Sequence, residues 1–129
     1  MNEYENLSSK EVQEEDLPEL ATVSMEVILE AGDARIAAQQ ACEKLRDFDF
    51  TAAEQLLETA NEHLVKAHAS QTDIIQAEAS GRKYEPSFLF NHAQDTLMTV
   101  MSEYNLTKEL VFLYKRLYFE IHPEKGGAQ

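Results

Sequence analysis

Between residues 17 and 122 only Pro18, Gly32, Gly81 and Pro86 interrupt the chain, and no two of them stand together as a tight hairpin turn requires. So little punctuation over so long a stretch predicts an all-α chain. The apolar residues agree, because Leu20, Val23, Val27, Ala31, Ala34, Ala38, Ala41, Cys42 and Leu45 recur at steps of three and four, the period of one helix face. Asp16 is the expected N-cap of this first helix, with Pro18 in its first turn, and Asp47-Phe48-Asp49-Phe50 closes it and caps the next. A second helix is expected over about residues 51–80. Its inward stripe runs from Ala53 through Leu57, Leu64, Ala67 and Gln71 to Ile74, Ile75 and Glu78, and Gly81 supplies the left-handed stop. Residues 82–86 form the second loop. Ser87 caps a third helix whose inward stripe carries Leu89, Ala93, Leu97, Val100, Tyr104, Val111, Tyr114 and Leu117 towards Ile121, together with polar Gln94 and Asp95.

Three helices of roughly 30 residues would each be about 45 Å long, and short loops make neighbours antiparallel. The expected subunit is an antiparallel three-helix bundle over residues 16–122, thin and rich in alanine. Apolar surface left over, with polar groups near the seam, points to an oligomer of two, three or four subunits. Seven acids against Lys10 in residues 1–19 carry −6 of the net charge of −13, so residues 1–15 read as an acidic disordered tail. Residues 123–129 read as a frayed C-terminus. The negative charge excludes nucleic acid and anionic lipid as natural partners, since both would be repelled. No apolar run reaches the roughly 20 residues of a spanning helix, so no membrane insertion is expected. Cys42 is the only cysteine, which excludes an internal disulfide, and the opening residues do not resemble a secretory signal. A cytoplasmic location is the expectation.

The chemistry concentrates at His92-Ala93-Gln94-Asp95, where a spacing of three places His92 and Asp95 on one helix face about a turn apart. An imidazole there can be a nucleophile, a base or a metal ligand, and the carboxylate can orient it or hold a cation. Alone, a His-x-x-Asp pair is equally an exposed hydrogen-bonding pair. His63 and His122 are expected on solvated faces. Folding the second and third helices about residue 84 sets His68 opposite about Thr99, a helix-interface position away from His92.

Four blocks taken together are more specific. Gly32-Asp33-Ala34-Arg35, then Phe50 with Ala53, then Ala67-His68 with Gln71-Thr72 and Gln76-Ala77-Glu78-Ala79, and finally His92-Ala93-Gln94-Asp95 with Leu97-Met98-Thr99 resemble the lactose/cellobiose-type enzyme IIA of the bacterial sugar phosphotransferase system. Their order and spacing match across about residues 23–117, and Leu113-Tyr114-Lys115-Arg116 resembles the family's end of its third helix. The resemblance implies a phosphoryl carrier in which His92 accepts a phosphoryl group from the phosphocarrier protein HPr and passes it to a cysteine of the cognate enzyme IIB. It also implies a homotrimer, a nine-helix bundle, in which Asp95 meets its two copies on the threefold axis around a shared divalent ion, usually magnesium. Thr96 departs from the pattern, because the family usually carries a second histidine there, so no supporting imidazole is carried over.

These implied roles suit the residues. A histidine that is neutral near pH 7 offers a ring lone pair, and its phosphoryl adduct is reactive enough to be handed on. Phosphoryl transfer is mostly positioning and charge stabilisation, so little further machinery is needed. The helix dipole has only a minor part, since His92 lies about five residues past the cap. Three converging carboxylates must be neutralised by protons or by a cation, and magnesium accepts hard oxygen donors; a salt link from Asp95 to Lys or Arg is the plainer alternative. Gln94 either orients the imidazole, contacts a neighbouring subunit, or is an amide on a polar seam. The function expected is phosphoryl transfer during uptake of a β-linked disaccharide of lactose, cellobiose or chitobiose type. A non-catalytic helical adaptor is the alternative.

Overall fold

A computed structural model describes residues 19–126, and these form three long helices and one short turn. The helices are α1 (Leu20–Arg46), α2 (Phe50–Ala79) and α3 (Phe88–Ile121). At 1.5 Å per residue they are about 40, 45 and 50 Å long. The expected cap Asp16, Pro18 and the acidic stretch 1–15 lie outside the described residues. Instead, Glu19 holds the cap position of α1 and makes no side-chain capping bond.

The two loops are made by local chemistry. After α1, the Phe48 amide donates to the Leu45 carbonyl and the Asp49 amide donates to the Lys44 carbonyl, each at 3.0 Å. After α2, Gly81 donates to Glu78 at 3.0 Å and Arg82 to Ala77 at 3.1 Å. Both are Schellman closures, which need a left-handed residue just past the helix end. Gly81 supplies one with φ 105°, as its lack of a Cβ allows. Phe48 supplies the other with φ 55°, a conformation costing an L-residue about 1–2 kcal/mol. Packing offsets that strain, for the Phe48 ring lies 4.9 Å from Tyr118 and 6.4 Å from Phe50, centroid to centroid. Asp49 then caps α2 by accepting from the Ala52 amide at 3.2 Å, and Ser87 caps α3 by accepting from Phe90 at 3.1 Å.

α1 is the spine of the bundle, packing extensively on both other helices, whereas α2 and α3 meet along a smaller interface. Its inward face is made of small residues, Ala31, Ala34, Ala37, Ala38 and Ala41, all buried, and it faces Ala53, Ala60, Ala67 and Ala93. Small side chains let the backbones approach, so the core is narrow and its largest fully buried residues are only Ile74, Leu97, Val27 and Val100. Among the described residues, besides Gln71, two polar side chains are buried in this core, Ser24 on α1 and Thr107 on α3. The Ser24 hydroxyl donates to the Leu20 carbonyl at 2.6 Å and Thr107 to the Glu103 carbonyl at 2.7 Å, so neither is left unpaired.

Several stripe assignments change. Ile75 and Glu78 are exposed, as are Tyr114 and Leu117, because the core face of α3 continues through Thr107, Val111 and Tyr118 instead. Asp95 is exposed rather than inward. About a third of a turn around from its core stripe, α3 carries a second apolar one, Leu106, Leu110, Leu113, Leu117 and Ile121, all exposed. Past α3, Pro123–Lys125 form a short 3-10 turn where fraying was expected, held by a hydrogen bond from Lys125 Nζ to the Tyr118 hydroxyl at 3.1 Å. Residues 127–129 lie outside the described residues.

Candidate functional site

His92 stands in the second turn of α3, five residues beyond the Ser87 cap, with its side chain exposed. The uninterrupted helix fixes the direction of its Cα–Cβ bond, and exposure leaves the imidazole accessible to another protein. Asp95 follows one turn later on the same face, also exposed. Two threonines stitch this segment to itself. Thr96 Oγ1 donates to the His92 carbonyl at 2.8 Å and Thr99 Oγ1 to the Asp95 carbonyl at 2.7 Å. Thr96 therefore directs its proton into its own helix, so its side chain does not replace an imidazole as a partner of the His92 ring.

Gln94 takes a different direction. Two residues past His92 it is rotated about 200° around the helix, is half-buried, and accepts a hydrogen bond on Oε1 from Gln71 Nε2 at 3.3 Å. The pair bridges α2 and α3 within the polar seam, with Gln94 also lining a 380 Å³ recess beside Tyr84 and Phe90. The structure brings His92 and Asp95 together and sets Gln94 apart from them.

Asp95 continues the second apolar stripe of α3, since steps of four, three and four lead from it through Thr99 and Ser102 to Leu106. Among the described residues of one chain, no cluster of histidine, cysteine or acidic ligands includes Asp95. A single subunit thus offers a metal one carboxylate there. Its hard oxygen suits magnesium, and further ligands have to come from other copies or from solvent.

The remaining histidines are placed by packing. His68 is exposed and lines a 610 Å³ groove between α2 and α3 with Leu64, Val65, Met101, Tyr104 and Asn105. His122 packs against Tyr118 at the far end of the bundle, with ring centroids 4.7 Å apart and the rings tilted by 44°. His63 is not on a solvated face: it is half-buried, and its Nδ1 lies 2.6 Å from Glu30 Oε2 on α1. Folding α1 on α2 about residue 48 would have placed Glu30 opposite about residue 66, within a turn of His63. Also unread in the sequence is the forked ion pair of Arg35 with Glu103, at 3.0 and 3.2 Å, which joins α1 to α3.

Residues 22–115 match the family described as PTS system, lactose/cellobiose specific IIA subunit. The chain is 39% identical over 98 residues to the PTS system lactose-specific EIIA component of Staphylococcus epidermidis, covering 76% of this chain and 94% of that protein. Its fold superposes on the crystal structure of PtcA from S. mutans with a TM-score of 0.74 at 39% identity, covering 78% of this chain and 98% of the other. It also superposes on the IIA(Chitobiose) chain solved in complex with HPr, from the N,N'-diacetylchitobiose branch of the Escherichia coli phosphotransferase system. There the TM-score is 0.68 at 34% identity, covering 79% of this chain and 99% of that chain.

Proposed function

The chain belongs to the lactose/cellobiose-specific IIA subunits of the phosphotransferase system, and on that premise we propose that it carries a phosphoryl group on His92 between HPr and a cognate enzyme IIB. A ring nitrogen of His92 attacks phosphorus, and the new P–N bond forms as the bond to HPr breaks. The group then moves to a cysteine of enzyme IIB, where a P–S bond forms and the imidazole is released. The observation that carries the reading is an exposed imidazole on a rigid helix, at the matching motif of a chain whose structural relative was solved with HPr. Exposure matters because the same nitrogen has to meet two proteins in turn, and rigidity because transfer depends on alignment.

Asp95 would hold the magnesium ion in a homotrimer, sharing it with its two copies. When bound, the ion supplies positive charge that offsets three converging carboxylates. The apolar stripe of α3 supports that arrangement, because it lies on the Asp95 face and is uncovered in one subunit. Among the described residues no helix is long and apolar enough to cross a membrane, and the carrier would work in the cytoplasm. Gln94, held against Gln71, would support the site by fixing α3 on α2. The sugar is one of the lactose, cellobiose or chitobiose type, since the relatives serve different sugars and the carrier passes phosphate to a protein.

Incubation with HPr, its phosphorylating enzyme and phosphoenolpyruvate tests the reading. Acid-labile phosphate should accumulate on the wild type and be absent from His92→Ala, with helical content unchanged. Label retained on His63, His68 or His122 in that variant would overturn the assignment, and no label on the wild type would leave a helical adaptor.

A further inference from the structure

α1 and α2 build a second constellation on another face of the subunit. Glu30 and Asp33 stand one turn apart on α1, His63 faces them from α2, and one ligand atom from each lies within 4.8 Å of the other two. We infer that Glu30, Asp33 and His63 form a binding site for a divalent transition-metal ion of the zinc class. The site is separate from Asp95 and complete within one chain.

Three features carry this. The first is the donor set, because one imidazole nitrogen with two carboxylates suits zinc and its first-row neighbours, whereas magnesium prefers oxygen alone. Three protein ligands leave a fourth tetrahedral position for water. The second is charge: among the described residues neither carboxylate pairs with a lysine or arginine, so even a protonated imidazole neutralises only one of them. A dication in place of that proton balances both. The third is rigidity. The ligands sit mid-helix on the two most extensively packed helices, and the side chains of Glu30 and His63 are only 25% and 27% exposed. Closing the set needs small rotations, because ligand oxygens and nitrogens about 2.0–2.2 Å from zinc lie roughly 3.3 Å apart in a tetrahedron. The 2.6 Å contact of Glu30 with His63 opens slightly, and exposed Asp33 swings inward. On binding, the proton between Glu30 and Nδ1 is released or moves to Nε2.

Calorimetric titration of the full chain with zinc tests the site, backed by cobalt absorption and thermal melts, in the wild type and in Asp95→Leu. The expected result is one zinc per chain in both proteins, against the one ion per three chains of an axial Asp95 site. Magnesium at tenfold excess should not displace it. The melting temperature should rise on the order of 10 °C at about a hundredfold excess over Kd. His63→Gln and Asp33→Asn should each weaken binding at least about tenfold. Asp33 is exposed, so that variant reports on ligation without disturbing packing. Zinc binding that survives both substitutions, zinc readily displaced by magnesium, or no binding at all would overturn the proposal.

Discussion

Leu106→Ser tests whether the second stripe of α3 is an assembly surface. In the isolated subunit Leu106 is 66% exposed, so the substitution removes little packing from the subunit itself. Full burial of a leucine is worth about 1.5–3 kcal/mol, and two-thirds of that, roughly 1–2 kcal/mol, is still to be gained when another copy covers it. Three copies contribute about 3–6 kcal/mol to a trimer, which corresponds to a rise of roughly 10²- to 10⁴-fold in its dissociation constant when all three are changed. Sedimentation across a dilution series reads this directly, and circular dichroism checks that helical content is retained. The variant should shift to lower mass at concentrations where the wild type stays assembled. A variant that sediments as the wild type over the whole series would refute the reasoning, because the stripe would then face solvent in the assembly too.

Asp95→Leu should remain assembled in chelator, since a side chain of similar size removes the repulsion with the ligand, whereas wild-type assembly should weaken in chelator; an indifferent wild type together with a monomeric variant would mean that Asp95 makes a specific salt link. At the first loop, Phe48→Gly should be more stable than Phe48→Ala by about 1 kcal/mol, because both lose the ring but only glycine relieves the left-handed backbone. Chemical denaturation of the two variants side by side checks the order, and equal midpoints would show that the residue is not held at positive φ in solution.

Apart from the start of α1, where Glu19 holds the cap position, the boundaries of the helices were legible because they are decided within a few residues. Ser87, Asp49 and Gly81 act on amides or dihedrals next to them, and each does in the structure what its residue type suggests. Phe48 was not legible in that way, since the packing that offsets its strain includes Tyr118, seventy residues later. The stripes were harder for a related reason. The second half of α3 has apolar residues on two faces about a third of a turn apart, so periodicity supports Leu117 inward as well as Val111. Only packing on α1 decides between them. Ser24 and Thr107 escaped notice because hydroxyls do not count as apolar, although a bond to the carbonyl four residues back makes them suitable for burial. At the site, the spacing of His92 and Asp95 gave their shared face, but not its exposure, because Asp95 was expected on the inward stripe. The partner of Gln94 depends on the register of α2 against α3, and that of His63 on α1 against α2, neither of which local sequence specifies.

The alanine face of α1 also bears on how the chain reaches its native state. A helix whose inner surface is mostly methyl groups gains little from each contact, so it needs a long, closely apposed partner before any of them is secure. α2 can provide it early, because the three-residue link at residues 47–49 makes closure of that hairpin inexpensive in chain entropy. α3 has to dock afterwards, parallel to α1 and across the whole length of α2, with the Arg35–Glu103 fork and the layer of Leu97 and Val100 fixing its register. The last-arriving helix is then the one that bears His92. Local opening of the native protein should release α3 before it parts α1 from α2, placing His92, the proposed phosphoryl acceptor, on the least independent element of the subunit and tying its lifetime to whatever covers the outer stripe.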